Sequence, residues 1–332
     1  MNFSQLRAHF KITVWASVFA TVAQIAPAQA DETKVVVTIK PIHALVTEVM
    51  AGVGTPTLIV DGSASPHTFT LKPSSAKAIN EAHIFIRVSE GLEPFTRKVV
   101  TALPKDVALL SLSEAKGVTL LDQREGGDFE EHADHGGHDH GHAHHGHGKK
   151  KTNHVEDAAA KDSHIWLDPE NAKAIVVAVT SALSERYPES AEKFNTNAAT
   201  TLQKLDALRA ELTSELLALK GKPFIVFHDA TQYFEKSFGL TASGSITLSP
   251  DVQPSAKRLT AVRKKIAKLG AVCVFAEPGF QPKLVAAVTE GSQSRSGSLD
   301  AEGLMQPPGS NHYYEMMRSL ARSIKTCLQP VS

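Results

Sequence analysis

Eight histidines lie between His132 and His147, in HADHGGHDHGHAHHGH, a stretch with no apolar residue larger than alanine. Burial of so few carbons cannot offset the entropy lost on ordering the backbone, so the stretch is expected to stay outside any packed core. Imidazole near neutral pH is a mostly uncharged nitrogen donor and the commonest protein ligand for zinc-like metals. His132, His135, His138, His140, His142, His144, His145 and His147 are therefore expected to form a metal-collecting arm inserted into a folded chain. The bland alternative is a solvated linker that happens to be rich in histidine.

Four more residues stand where a metal site is expected. His228 ends the apolar run PFIVFH (223–228), and His67 lies in the loop after TPTLIV (55–60). His164 opens HIWLDP after the insertion, and Asp300 follows the short run ending at Leu299. Open parallel sheets bind ligands outside the carboxyl ends of their strands. Three neutral imidazoles make a borderline-soft nitrogen site suited to Zn²⁺, tetrahedral if one more oxygen or nitrogen joins. Taken singly, each histidine reads better as a satisfied loop or core residue.

The elements that would position these residues alternate in type. KVVVTI (34–39), TPTLIV (55–60), HIFIRV (83–88) and DVALLS (106–111) are strand runs, with helices expected from Pro41 to about Ala51, over 73–82 and near 92–102. Short apolar strands separated by helices predict a parallel sheet covered on both faces. The pattern stops near Gly117, and about 122–163 reads as a disordered, charged and His-rich insertion. Helix resumes with Asp168 as N-cap and Pro169 at the first helical position.

From Glu189 to Lys220 there is no Gly or Pro, and Leu202, Leu205, Leu208, Leu212, Leu216 and Leu219 recur at three and four residues. That spacing predicts one long amphipathic helix. A second strand–helix series then runs from PFIVFH through AVCVFA (271–276) to a last helix at 311–327. The expected fold is α/β: two lobes, each a small, mostly parallel sheet flanked by helices, joined by one long connecting helix. The expected division is 31–188, the connector 189–220, and 221–332.

Residues 1–30 read as a cleaved secretory signal, with Arg7 and Lys11 ahead of a largely apolar Ile12–Ile25 and small residues at Ala28-Gln29-Ala30. A soluble periplasmic chain is expected. Loss of Arg7 and Lys11 shifts the formal charge from 0 to −2 with neutral histidine. So small a net charge points to no nucleic-acid partner. In an oxidising compartment Cys273 and Cys327 are expected as a disulfide, with two buried free thiols as the alternative.

GSASPHTFTLKPS (62–74), HIWLDPEN (164–171), FHDATQYFEKSFGL (227–240) and CVFAEPGFQP (273–282) together resemble the zinc-binding periplasmic component of ABC transporters, the ZnuA type. The resemblance covers nearly the whole chain after residue 30, and the order of the motifs is more specific than any one of them. It implies zinc held in the cleft between the lobes as transported cargo, delivered by a monomer to an ABC permease. It implies His67, His164 and His228 as ligands and a Cys273–Cys327 disulfide. Some zinc members carry Glu immediately before the first ligand histidine, where this chain has Pro66. The fourth ligand is thus left to water, an arm histidine or Asp300, which matches a ligand found mainly in manganese-binding relatives.

Two rival functions follow from the same residues. Manganese- or iron-binding relatives resemble two histidines with two carboxylates, and His228 in place of Glu favours zinc over them. A periplasmic zinc hydrolase also uses three histidines and water, but the chain has no HExxH and no well-placed base. His43, His83 and His312 are expected to be structural, Trp166 could cover the metal from water or simply pack, and Glu277 receives no chemical role.

Overall fold

The computed structural model describes residues 33–124, 129, 160–250, 252–270, 273–280 and 282–329. The proposed signal over 1–30 and all eight arm histidines lie outside the described residues.

The first sheet holds β1 (Val35–Val37), β2 (Thr57–Leu58), β3 (Ile84–Arg87) and β4 (Ala108–Ser111), all parallel, in the order β2-β1-β3-β4. β1 and β3 are buried at every residue, as a sheet covered on both faces requires. The second holds β5 (Phe224–His228), β6 (Gly244–Thr247), β7 (Cys273–Ala276) and β8 (Arg295–Ser298), again parallel, in the order β6-β5-β7-β8. Each strand run predicted from the sequence contains one of these strands.

Helices α1 (Lys40–Val49), α2 (Pro73–Asn80), α3 (Arg97–Thr101) and α4 (Pro169–Arg186) belong with the first sheet. Asp168 caps α4 as its sequence indicates, its carboxylate accepting the Glu170 N–H at 2.9 Å. The connector α5 (Ala191–Leu216) is about 39 Å long at 1.5 Å per residue and ends in a 3₁₀ turn over Leu217–Leu219. Leu205, Leu208, Leu212, Leu216 and Leu219 of the predicted stripe are buried. After it come α6 (Gln232–Phe238), α7 (Ala256–Leu269), α8 (Pro282–Thr289) and α9 (His312–Leu328).

One hydrophobic core runs through both sheets, from Val35 and Ile84 past the α5 leucines to Phe224, Phe275 and the inner face of α9. The last helix therefore reaches back to the first lobe: the Tyr314 hydroxyl donates to Glu48 of α1 at 2.7 Å, and the Tyr313 hydroxyl to the Trp166 carbonyl at 2.8 Å. The sequence pattern assigned this bridging to the long helix alone, because pattern cannot show which sheet a terminal helix covers. Cys273 of β7 and Cys327 of α9 form the disulfide, which resolves the choice left open between a bridge and two free thiols.

Candidate metal centre

Two loops and one strand end deliver three imidazoles to one point. His67 sits in the segment after β2, His164 immediately precedes the turn Ile165–Leu167 leading into α4, and His228 is the last residue of β5. His67 Nε2 lies 3.3 Å from His164 Nε2, and His164 Nε2 lies 3.4 Å from His228 Nε2. One ligand nitrogen from each ring falls within 4.8 Å of the other two. With Zn–N bonds of about 2.0–2.1 Å, a tetrahedral ion would hold two nitrogens about 3.3–3.4 Å apart. Two edges of the triangle already have that length.

Carboxylates on the far side of two rings orient these nitrogens. Asp162 Oδ1 accepts from His164 Nδ1 at 2.7 Å and from the His164 N–H at 2.9 Å. Glu277 Oε2 accepts from His228 Nδ1. A proton held on Nδ1 leaves Nε2 as a lone pair, so His164 and His228 face each other with two acceptors and no hydrogen between them. That contact is repulsive until a cation sits in it.

The electrostatics also favour a cation. Burial, with smaller contributions from His164 and His228, drives the His67 imidazole from 6.5 to about 2, so the ring is a neutral donor. Burial pushes the Glu277 carboxyl well above the usual range, a shift that nearby Asp300 reinforces. Burial likewise raises Glu302, with Glu277 and Asp300 adding to it. A divalent ion would supply the positive charge these buried acids lack.

The three rings line a cleft of about 180 Å³. Gly91 from the first lobe, Leu248–Pro250 from the second, and Gln123, Ala160 and Lys161 at the two roots of the insertion form its other walls. These roots are paired: Asp122 and Lys161 form an antiparallel bridge, and Gln123 N–H donates to the Ala160 carbonyl at 2.8 Å.

Asp300 occupies a different position from the triad. Its Oδ1 and Oδ2 accept the Leu304 and Met305 N–H groups at 2.8 and 2.9 Å, closing the turn after β8. Lys40 pins the same turn by donating to the Leu304 and Gln306 carbonyls at 3.0 and 3.2 Å. Glu302 Oε1 accepts from Ser65 at 3.2 Å, tying the turn to the loop that carries His67. Gly303, at φ +67°, sits against the His312 ring where a Cβ would come within 2.3 Å of Nε2.

Among the described residues, the other histidines have partners: His43 Nε2 meets the Pro56 carbonyl at 3.0 Å, His83 Nδ1 the Tyr187 hydroxyl at 2.8 Å, and His312 Nδ1 the Pro307 carbonyl at 3.1 Å. Trp166 is fully buried, its ring centroid 5.4 Å from that of His164, and donates from Nε1 to the Ala301 carbonyl at 2.9 Å. Asp162 and Glu277, the carboxylates behind two of the candidate ligand rings, are what sequence reasoning missed. The D-x-H spacing signalled the first. For the second, the signal was the position just past β7, a strand adjacent to the one ending in His228.

Comparison with known proteins gives this geometry a family. The family model described as zinc-uptake complex component A, periplasmic (ZnuA) matches residues 35–327. The high-affinity zinc uptake system protein ZnuA of Brucella abortus (strain 2308) is 45% identical over 305 residues, covering 89% of this chain and 91% of that protein. Its counterpart in Paracoccus denitrificans (strain Pd 1222) is 36% identical over 309 residues, covering 91% and 94%. Among solved structures, a crystal structure of ZnuA has a TM-score of 0.73 at 22% identity, covering 90% of this chain and 100% of that one. The periplasmic zinc-binding protein TroA of Treponema pallidum has a TM-score of 0.72 at 19% identity, with the same coverage. Both structures share the two-lobed α/β fold. By the extent of the family match and the identity to curated relatives, the chain belongs to the ZnuA family of zinc-uptake components, which are binding proteins and not enzymes.

Proposed function

We propose that this chain captures Zn²⁺ in the periplasm on His67, His164 and His228 and delivers it to an ABC permease for import. The observation that carries the reading is the pair of Nε2 atoms 3.4 Å apart on rings whose Nδ1 atoms meet Asp162 and Glu277, with His67 Nε2 3.3 Å from one of them. An all-nitrogen triad favours zinc over manganese, which prefers oxygen ligands. Asp300 is not in the group of ligand atoms that fall within 4.8 Å of one another, which supports water or an arm histidine as the fourth ligand.

The reading divides the chain into a signal peptide over 1–30, a first lobe over 31–188 with the insertion at about 122–163, a connector over 189–220 and a second lobe over 221–332. The eight arm histidines act as weak, fast-exchanging sites that raise the local zinc concentration at the cleft. The protein works as a monomer. Release requires the permease to bind a conformation in which the ligands are less well placed. Anomalous scattering at the zinc edge from a zinc-loaded crystal tests the site. One strong peak within about 2.0–2.1 Å of the three nitrogens is expected; a zinc-loaded crystal with no peak there rejects the assignment.

A further inference from the structure

We propose that the root of the His-rich insertion is a strap between the lobes, and that its anchor Arg124 is a positioning residue that slows escape of the ion from the three-histidine site. The inference rests on the zinc reading of that site and concerns groups that touch no ligand atom themselves.

The strap is held on both sides. Toward the first lobe, the Thr119 N–H donates to Asn171 Oδ1 at 2.8 Å and Asn171 Nδ2 returns a bond to the Thr119 carbonyl at 3.0 Å, fixing the chain on α4. The outgoing and returning segments are then joined, the Asp162 N–H donating to the Leu121 carbonyl at 3.0 Å. Toward the second lobe, the Tyr233 hydroxyl of α6 accepts the Leu121 N–H and donates to the Asp162 carbonyl, each at 2.9 Å. One phenol thus grips both segments.

Arg124 completes the attachment. Its Nη1 and Nη2 donate to the two oxygens of Glu235 at 2.9 and 3.0 Å, and its Nε to both oxygens of Asp229 at 3.0 and 3.1 Å. Asp229 and Glu235 side chains are only 2% and 5% exposed, and that of Arg124 is 17% exposed. The Phe129 ring covers the guanidinium at 3.8 Å. Glu235 is itself tied into the second lobe, accepting from the Thr231 hydroxyl at 2.7 Å and the Ala242 N–H at 2.8 Å. A planar fork that spans two carboxylates is work for arginine and not for lysine. Its removal would leave two buried acids facing each other, which is costly.

The position of the strap gives it a role in ion retention. Asp229 directly follows His228, and Asp162, on the returning segment, orients His164. The strap therefore holds the neighbours of one ligand from the insertion side against the neighbours of another from the second lobe. For an ion to leave, His164 and His228 must part, and the bonds of Arg124 and Tyr233 resist that separation.

The test uses the full chain loaded with Zn²⁺, with release into excess chelator followed by stopped flow and association measured separately. R124Q is expected to release zinc at least about 10-fold faster, within the range for groups behind a ligand, with association within about twofold of wild type. R124K should fall between the two, keeping the charge and losing the fork. Y233F keeps every Arg124 contact and should also release faster, so it carries the test if R124Q does not fold. Wild-type release rates in R124Q or in Y233F, even with a lowered melting temperature of the zinc-free protein, would overturn the strap. A wild-type chain that retains no zinc would instead overturn the reading of the site, and this inference with it.

Discussion

His228 and Glu277 meet across neighbouring parallel strands: the histidine ends β5, the glutamate follows β7, and the ring Nδ1 donates to the buried carboxylate. The register of two strands thus decides which histidine nitrogen faces the cleft. His164 achieves the same result locally, through an aspartate two residues earlier in the chain.

Removal of a ligand imidazole should be felt most strongly. H67A and H228A are each expected to lose more than about 100-fold in zinc affinity, beyond the range for outer-shell partners. Calorimetric titration of the folded variants checks this, and unchanged affinity in both would refute the triad.

The orienting carboxylates should matter less, and in the same direction. D162N and E277Q are expected to weaken zinc binding by about 10–100-fold, because a neutral amide holds the imidazole tautomer less firmly. Competition against a chelator of known affinity measures it. Wild-type affinity in both variants would show that the rings need no such support.

Glu93 should impose a pH dependence on the zinc-free protein. The residue is buried, accepts the Val88 and Ser89 N–H groups at 2.9 Å each, and contacts the Thr38 hydroxyl. Burial raises its carboxyl from 4.5 to about 7, outweighing those hydrogen bonds. The folded chain therefore holds a proton that the unfolded chain has lost over that interval. The stabilisation is complete below pH 4.5 and is lost as pH rises through about 7. E93Q should remove this component, which is at most about 1.4 kcal/mol per pH unit. Urea midpoints of chelator-treated wild type and E93Q from pH 5 to 8 should diverge; parallel curves would exclude Glu93 as the source.

The disulfide should stabilise through the unfolded state. Its cysteines are 54 residues apart, a loop whose closure is worth about 4 kcal/mol in the chain-entropy model. Denaturant unfolding of C273S/C327S beside the oxidised wild type is expected to show a loss of about 2–4 kcal/mol. A difference below the error of the measurement would mean that the unfolded chain is already constrained there.

Deletion of residues 128–148 should lower the number of bound zinc ions and leave one tight site. Acidification from pH 7 to 5 should empty the arm first, because ordinary imidazoles protonate near 6.5 and cannot then ligate. Equilibrium dialysis with metal analysis reads both. Loss of the tight site on deletion would show that the arm supplies a required ligand.

Much of the fold was legible from local signals. Strand runs rich in β-branched residues, Pro169 behind the Asp168 cap, and the leucine spacing of α5 each arise from backbone and packing preferences acting within one element. His228 was legible as a candidate from its place at the carboxyl end of a strand run, where an open sheet binds ligands. Orientation of the rings was not legible. It depends on Glu277, which is 49 residues from His228 in the chain and adjacent to it only once β5 and β7 pair.

Residue types and their order thus determined the two sheets, the connector and a supply of imidazole nitrogens suited to a zinc-like ion. Only the tertiary structure decided that three Nε2 atoms converge, that Asp300 closes a turn, that α9 returns to the first lobe, and that Arg124 straps the insertion to α6. Donor chemistry belongs to single side chains and survives in any conformation. Convergence depends on distances between residues far apart in sequence, and those are set only when one core closes over both sheets.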